Sequence, residues 1–208
     1  MIVRLALSIL LCLDFVPNRA WADDTGLYPD AIDPNSAFLR FYAPGLGDIK
    51  VSGKRIQSGE TGLSDFVTVP SDETVARWSQ GRLETDIEAG QHMTLLLDEV
   101  GQARFLVPPF RLDPAMSVVQ LANLTQLDGL ALYVPRAKAH VFQGLEPNAA
   151  VVSKLRAPLT LDFELRRKGE VIARAPQVAL RRNNSVTFLV LPNGGDVALH
   201  VIEGRYAR

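Results

Sequence analysis

Apolar and polar residues alternate along short runs of this chain, and the runs are bounded by Gly, Pro, Asn or Asp. Phe38-Leu39-Arg40-Phe41-Tyr42 and Arg82-Leu83-Glu84-Thr85-Asp86-Ile87 are two of them. A period of two puts successive side chains on opposite faces of an extended backbone, so these runs predict half-buried strands. The same pattern predicts strands at 48–51, 66–69, 75–78, 93–97, 103–107, 118–122, 130–134, 139–142, 159–166, 171–174, 178–180, 186–191 and 197–202. No stretch carries a long apolar stripe at helical spacing. Short strands joined by turns such as Lys168-Gly169 and Asn183-Asn184 indicate an all-β chain of sandwich or barrel type.

The pattern repeats. Asp33-Pro34-Asn35-Ser36-Ala37-Phe38-Leu39-Arg40-Phe41-Tyr42-Ala43 aligns without gaps on Asp113-Pro114-Ala115-Met116-Ser117-Val118-Val119-Gln120-Leu121-Ala122-Asn123. Further on, Ile49 and Val51 fall on Leu130 and Leu132, Gly81 on Gly169, and Met93-Thr94-Leu95-Leu96-Leu97 on Val186-Thr187-Phe188-Leu189-Val190. A shared Asp-Pro followed by the same register of apolar positions points to internal duplication. The chain therefore predicts two tandem small β-sandwich domains, at 23–112 and 113–208, with the connection in the Pro-stiffened stretch Pro108 to Pro114.

Ahead of the first copy, Arg4, the apolar run Leu5 to Leu13 and Ala20-Trp21-Ala22 make a secretory signal peptide over residues 1–22, cleaved after Ala22. The run is too short to span a bilayer, and Leu11 before Cys12 does not fit a lipoprotein cleavage site. Cleavage at that point removes the only cysteine, so packing rather than disulfides must stabilise the mature chain.

With 22 Lys and Arg against 23 Asp and Glu, the net charge argues against a nucleic-acid partner. The balance is uneven along the chain: residues 23–112 carry −6 and residues 113–208 carry +4. That asymmetry suggests different partners for the halves, or contact between them. The basic residues concentrate in Arg166, Arg167, Lys168, Arg181 and Arg182. If the intervening hairpin draws them together they form a polyanion-binding patch; otherwise they are charges guarding a strand edge.

Chemistry is sparse in the sequence. A serine hydrolase or transferase needs a nucleophile, a base and an oxyanion hole, and no Gly-x-Ser-x-Gly elbow or comparable signature is written here. His92, His140 and His200 each fall in or beside a predicted strand without neighbouring carboxylates, which favours structural roles. Zinc- and calcium-type ligand spacings are missing, as is a glycine-rich phosphate cradle, so no catalytic residue, metal or cofactor is expected. Trp78 reads as core rather than as a sugar platform. Leu27-Tyr28-Pro29 stands before the first copy and has no counterpart before the second, which favours a partner contact over packing.

The segment Thr25-Gly26-Leu27-Tyr28-Pro29, followed by Ser36-Ala37-Phe38-Leu39-Arg40-Phe41-Tyr42, resembles the mature amino terminus of the alginate biosynthesis protein F (AlgF) family. Leu63-Ser64-Asp65-Phe66 and Gly90-Gln91-His92-Met93-Thr94-Leu95-Leu96 are similar to the same family. Pro29, where many members have Gly, and Ala43-Pro44 depart from its pattern. The resemblance implies a periplasmic accessory protein of exopolysaccharide O-acetylation, acting with a membrane-bound O-acyltransferase and periplasmic SGNH-type acetyltransferases. The polymer would be alginate or a related one such as cellulose. A non-enzymatic adaptor is the leading expectation; a polysaccharide-binding module and a transiently acylated acetyl carrier are the alternatives.

Overall fold

The computed structural model describes residues 33–207 apart from 46, 47, 72, 99 and 101; the signal peptide expected over 1–22 and Leu27-Tyr28-Pro29 lie outside the described residues. Regular structure among the described residues is entirely β. The first copy contributes β1 (Ser36–Tyr42), β2 (Ile49–Val51), β3 (Lys54–Ile56), β4 (Val67–Pro70), β5 (Glu73–Trp78), β6 (Gly81–Asp86), β7 (Gln91–Leu97) and β8 (Ala103–Arg111). The second contributes β9 (Met116–Asn123), β10 (Leu130–Val134), β11 (Ala139–Leu145), β12 (Ala150–Arg156), β13 (Leu159–Arg167), β14 (Glu170–Leu180), β15 (Asn184–Asn193) and β16 (Asp196–Glu203).

The duplication is complete at the level of topology. Sheets ordered β4-β1-β7-β8 and β3-β2-β5-β6 form the first sandwich, and β12-β9-β15-β16 and β11-β10-β13-β14 form the second, strand for strand. Even the parallel pairing of β1 with β7 recurs between β9 and β15. The repeated Asp-Pro has a local cause: the Asp33 carboxylate accepts from the Asn35 amide at 2.8 Å, and Asp113 accepts from Ala115 at 2.9 Å. Each Asp backbone carbonyl also accepts from the residue three further on, Ser36 and Met116, so the same turn launches the first strand of each copy.

Each sandwich closes its own core. Leu39, Phe41, Ile49, Val51, Met93 and Leu95 fill the first, while Val119, Leu121, Leu130, Leu132, Phe163 and Phe188 fill the second. The opposite faces of the inner strands are not solvated. Tyr42, Leu63, Leu96, Leu106, Val107, Ala122 and Leu189 make one shared cluster, and Phe38, Phe66, Phe110 and Val118 make another. The inner sheets therefore face each other, and residues 33–208 pack as one compact unit of four stacked sheets. This explains why β1 is buried at every position although its sequence alternates.

Three details of the strands depart from the alternation pattern. Lys54–Ile56 and Ala150–Arg156 are strands that the pattern does not pick out. The runs 171–174 and 178–180 are one strand, because Pro176 and Gln177 sit in a bulge where Gln177 adopts φ 53° and its amide donates to the Asp162 carboxylate at 2.8 Å. Pro108 and Pro109 belong to β8, an edge strand that tolerates the missing donors, so the connection between copies shortens to residues 112–115.

Candidate functional site

The seam between the two sandwiches holds an arginine. In β1 the residues on the seam face are Phe38, Arg40 and Tyr42, and in β9 their equivalents are Val118, Gln120 and Ala122. Arg40 is 1% exposed. Its Nε donates to Thr94 Oγ1 of β7 at 2.9 Å, and Nη2 donates to Gln120 Oε1 at 3.0 Å and to Thr187 Oγ1 of β15 at 2.7 Å. The guanidinium also lies 4.3 Å over the Phe66 ring. Burial lowers its pKa to about 9, with Tyr206 and Asp65 opposing the shift, so the group stays charged at neutral pH. No carboxylate among the described residues is within ion-pair distance of it, and hydroxyl and amide oxygens carry the charge instead. Gln120 Nε2, also buried, has no hydrogen-bond partner among the described residues.

Beside Arg40 an aromatic box closes the seam at one end. His92 stacks on Phe38 and Phe110, with ring centroids 4.3 and 5.1 Å away, and meets the edge of Phe66. Its Nδ1 donates to the Gly90 carbonyl at 3.3 Å, which leaves Nε2 to accept from the Tyr206 hydroxyl at 2.8 Å. Burial holds the His92 pKa down to about 4, and Arg40 adds to that direction, so the ring is neutral. Tyr206 belongs to the segment after β16, which crosses back to the first sandwich. There Phe66 N donates to the Arg205 carbonyl and Ala207 N to the Phe66 carbonyl, both at 2.8 Å. The arrangement is a clamp that ties the end of the second sandwich onto the first.

The seam closes differently on its two sides. The duplication makes β8 against β12 the equivalent of β16 against β4. β8 packs against β12, and Arg104 Nη1 reaches the Asn148 carbonyl at 3.5 Å. β16 and β4 do not pack in that way. On that side a groove of about 770 Å³ opens, with the Gly59–Leu63 loop and Asp65 on one wall and β14 and β16 on the other. It continues past Arg205 toward Arg55 and Ala207.

The basic residues singled out by sequence are not brought together. Arg166, Arg167 and Lys168 lie at the β13–β14 turn, whereas Arg181 and Arg182 follow the far end of β14, roughly 30 Å along an 11-residue strand. Most of their charges are also occupied: Arg166 pairs with Glu164 at 2.5 Å and covers the Tyr133 ring, Arg167 pairs with Asp128, Arg181 approaches Glu203 at 3.9 Å, and Arg182 donates to the Ala157 carbonyl. The five basic residues thus lie in two groups, one at each end of β14. Trp78 packs against the first core. His140 lies beside Tyr133, with ring centroids 4.8 Å apart, and His200 lies in β16. No group of three or more His, Cys, Asp or Glu that could hold a metal occurs among the described residues.

Arg40, Thr94, Gln120, Thr187 and Tyr206 are the residues that sequence reasoning missed. The alternation puts Arg40 on the face opposite Leu39 and Phe41 and does not say what covers that face. A signal was nevertheless present, because Phe38 and Tyr42 share its face, and two aromatics flanking a charge on one face mark that face as buried.

Fold and seam together define a tandem β-sandwich protein whose two copies are locked through a buried polar contact. The chain is similar to alginate biosynthesis protein AlgF of Pseudomonas aeruginosa, with 24% identity over 196 residues, covering 92% of this chain and 89% of that protein. The resemblance read from Leu27-Tyr28 and the strand that follows is borne out by this match. No family model matches. Among solved structures, the C-terminal domain of AlgF from P. aeruginosa superposes with a TM-score of 0.39 at 20% identity, over 43% of this chain and 98% of that one. A family CBM26 module of Eubacterium rectale Amy13K, solved with maltoheptaose, superposes at 0.31 and 11% identity over 79% of this chain and 96% of that one.

Proposed function

We propose that this protein is a non-catalytic, periplasmic accessory component of exopolysaccharide O-acetylation. In this reading it is an adaptor that joins a membrane-bound O-acyltransferase to a periplasmic SGNH-type acetyltransferase, and the polymer is alginate or a related one such as cellulose. The observation that carries the reading is the match to AlgF across nearly the whole chain, a protein whose name assigns it to alginate biosynthesis. Two features are consistent with it. His92 is closed inside the aromatic box, and the two halves carry opposite net charge on one locked body. Leu27-Tyr28-Pro29 is the proposed partner anchor, and the basic ends at Arg166–Lys168 and Arg181–Arg182 are secondary candidates for a polyanion.

The test is deletion of the gene from a host that makes an acetylated polymer, followed by measurement of polymer acetyl content and co-purification of the two transferases with the tagged mature chain. Loss of acetylation at normal polymer yield, with recovery of both partners, supports the adaptor. Unchanged acetylation overturns it. Glycan binding without partner binding would make the chain a polysaccharide module, and an added acetyl mass on the intact protein would make it a carrier.

A further inference from the structure

We infer that the free edge of β16, in the open side of the seam, is a docking edge that takes an extended polypeptide strand from a partner protein. The inference rests on the adaptor reading only for the role of that partner.

Most strand edges among the described residues carry several guarding features, and β16 carries the fewest. β8 carries Pro108 and Pro109, β12 carries Lys154 and Arg156, and β14 carries Pro176 and its bulge. β4 ends in Pro70, β3 has three residues, β6 presents Arg82, Glu84 and Asp86, and β11 is broken by register shifts. These are the devices that stop a sheet edge from pairing with another chain. β16, Asp196-Val197-Ala198-Leu199-His200-Val201-Ile202-Glu203, has charges only at its two ends: it holds eight residues without Pro, Lys, Arg or a bulge, in unbroken register with β15, and β14 of the facing sheet packs beside it without pairing to it. Its other edge pairs with no strand among the described residues. That edge opens into the 770 Å³ groove, where Leu199 and Val201 line the wall and Val201 is 39% exposed.

The occupant is specified by three observations. Free backbone donors and acceptors at strand spacing match another extended backbone, which a glycan does not offer. Main-chain pairing across this side of the seam already occurs, since Arg205–Ala207 bridges Phe66 there. A second copy is disfavoured, because antiparallel self-pairing of β16 places Asp196 opposite Glu203 at both ends, and like charges directly opposite are destabilising. The groove's carboxylates are Glu60, Asp65 and Glu203, with Arg181 3.9 Å from Glu203. Its cations are Arg174, held 3.8 Å from Glu164, and Arg205. With Asp196 at the other end of the strand, the complementary segment has alternating apolar residues and Lys or Arg at its ends.

The probe is a synthetic ten-residue peptide of alternating Val and Thr between Lys pairs, with a Glu-flanked version as control, added to the full mature chain. Calorimetry and amide exchange are read together. The expected result is binding at least 10-fold tighter for the Lys-flanked peptide, slowed exchange within 196–203, and loss of both in Val201→Lys at an unchanged melting temperature. No binding, binding without protection of 196–203, or binding that survives Val201→Lys overturns the proposal. Polymer acetylation is not read in this experiment. A failed peptide assay therefore leaves the accessory role standing, and a failed gene deletion leaves the edge standing.

Discussion

Arg40 and Gln120 occupy equivalent positions in the two copies and touch each other: Arg40 Nη2 donates to Gln120 Oε1 at 3.0 Å across the seam. The neighbouring equivalents Thr94 and Thr187 complete the set, each contacting the same guanidinium. A contact of a position with its own counterpart is what a two-fold interface produces, so the seam has the geometry of a homodimer contained within one chain. The duplication did not keep the pair identical. An arginine on one side and an amide on the other give a donor facing an acceptor, whereas two arginines would repel.

Substitution at Arg40 should follow from that geometry. Arg40→Ala removes the guanidinium donor from both threonine hydroxyls and leaves Gln120 Oε1 only the Thr187 hydroxyl at 3.3 Å, and is expected to cost about 3 kcal/mol or more, measured by urea denaturation. Arg40→Lys should recover less than half of that. One ammonium cannot reproduce a planar fork that reaches acceptors on both sheets.

Gln120→Glu tests the unpartnered amide nitrogen. The change removes a buried donor without a partner and gives Arg40 a carboxylate, so stability at pH 7 should rise by about 1 kcal/mol. A carboxylate beside Arg40 is held ionised, with its folded pKa below the unfolded value of about 4.3. The gain is therefore present above that pH and is lost as pH falls through the folded pKa. Melting curves at pH 7 and pH 3 check the sign.

How much of this was legible follows the same division between faces. The duplication, the turns after Asp33 and Asp113, and most strands were readable because each depends on local chemistry: alternation, turn residues and a repeated register. The seam was not. Period two says that a strand has two faces but not what covers the second one, and only stacking of the inner sheets buries Arg40, Gln120 and Thr187. Lys54–Ile56 was missed because two of its three side chains face solvent, and Ala150–Arg156 because it is a half-exposed edge strand. Tyr206 was invisible for another reason, since its partner His92 is 114 positions away.

Acid should loosen the aromatic box. His92 has a folded pKa of about 4 against 6.5 for the free side chain. Above pH 6.5 neither state binds the proton and there is no penalty. As pH falls from 6.5 toward 4 the unfolded chain takes a proton that the folded chain refuses, and stability declines by about 1.4 kcal/mol per pH unit. His92→Phe keeps the stacking on Phe38 and Phe110 but does not titrate, so its melting temperature should fall less between pH 7 and pH 5 than that of the parent. Equal slopes would assign the acid sensitivity elsewhere.

The last prediction concerns the two domains, 23–112 and 113–208, which we treat as separable units that depend unequally on each other. Each copy has its own core, so both should retain β structure when produced alone. Their exposed inner faces would differ. The first copy would uncover Phe38, Phe66, Leu106 and Phe110 together with Arg40, whereas the second would uncover Val118, Gln120, Ala122 and Leu189. Large apolar patches drive association, so the first copy alone should aggregate or melt well below the whole chain, and the second should remain soluble. Cutting the intact protein at an engineered protease site within 112–115 gives the complementary result. The seam and the Tyr206 clamp, neither of which runs through the linker, should keep the cut halves together on size exclusion, and Arg40→Ala combined with Tyr206→Ala should release them. Release of the cut parent would mean that the linker, rather than the seam, holds the copies together.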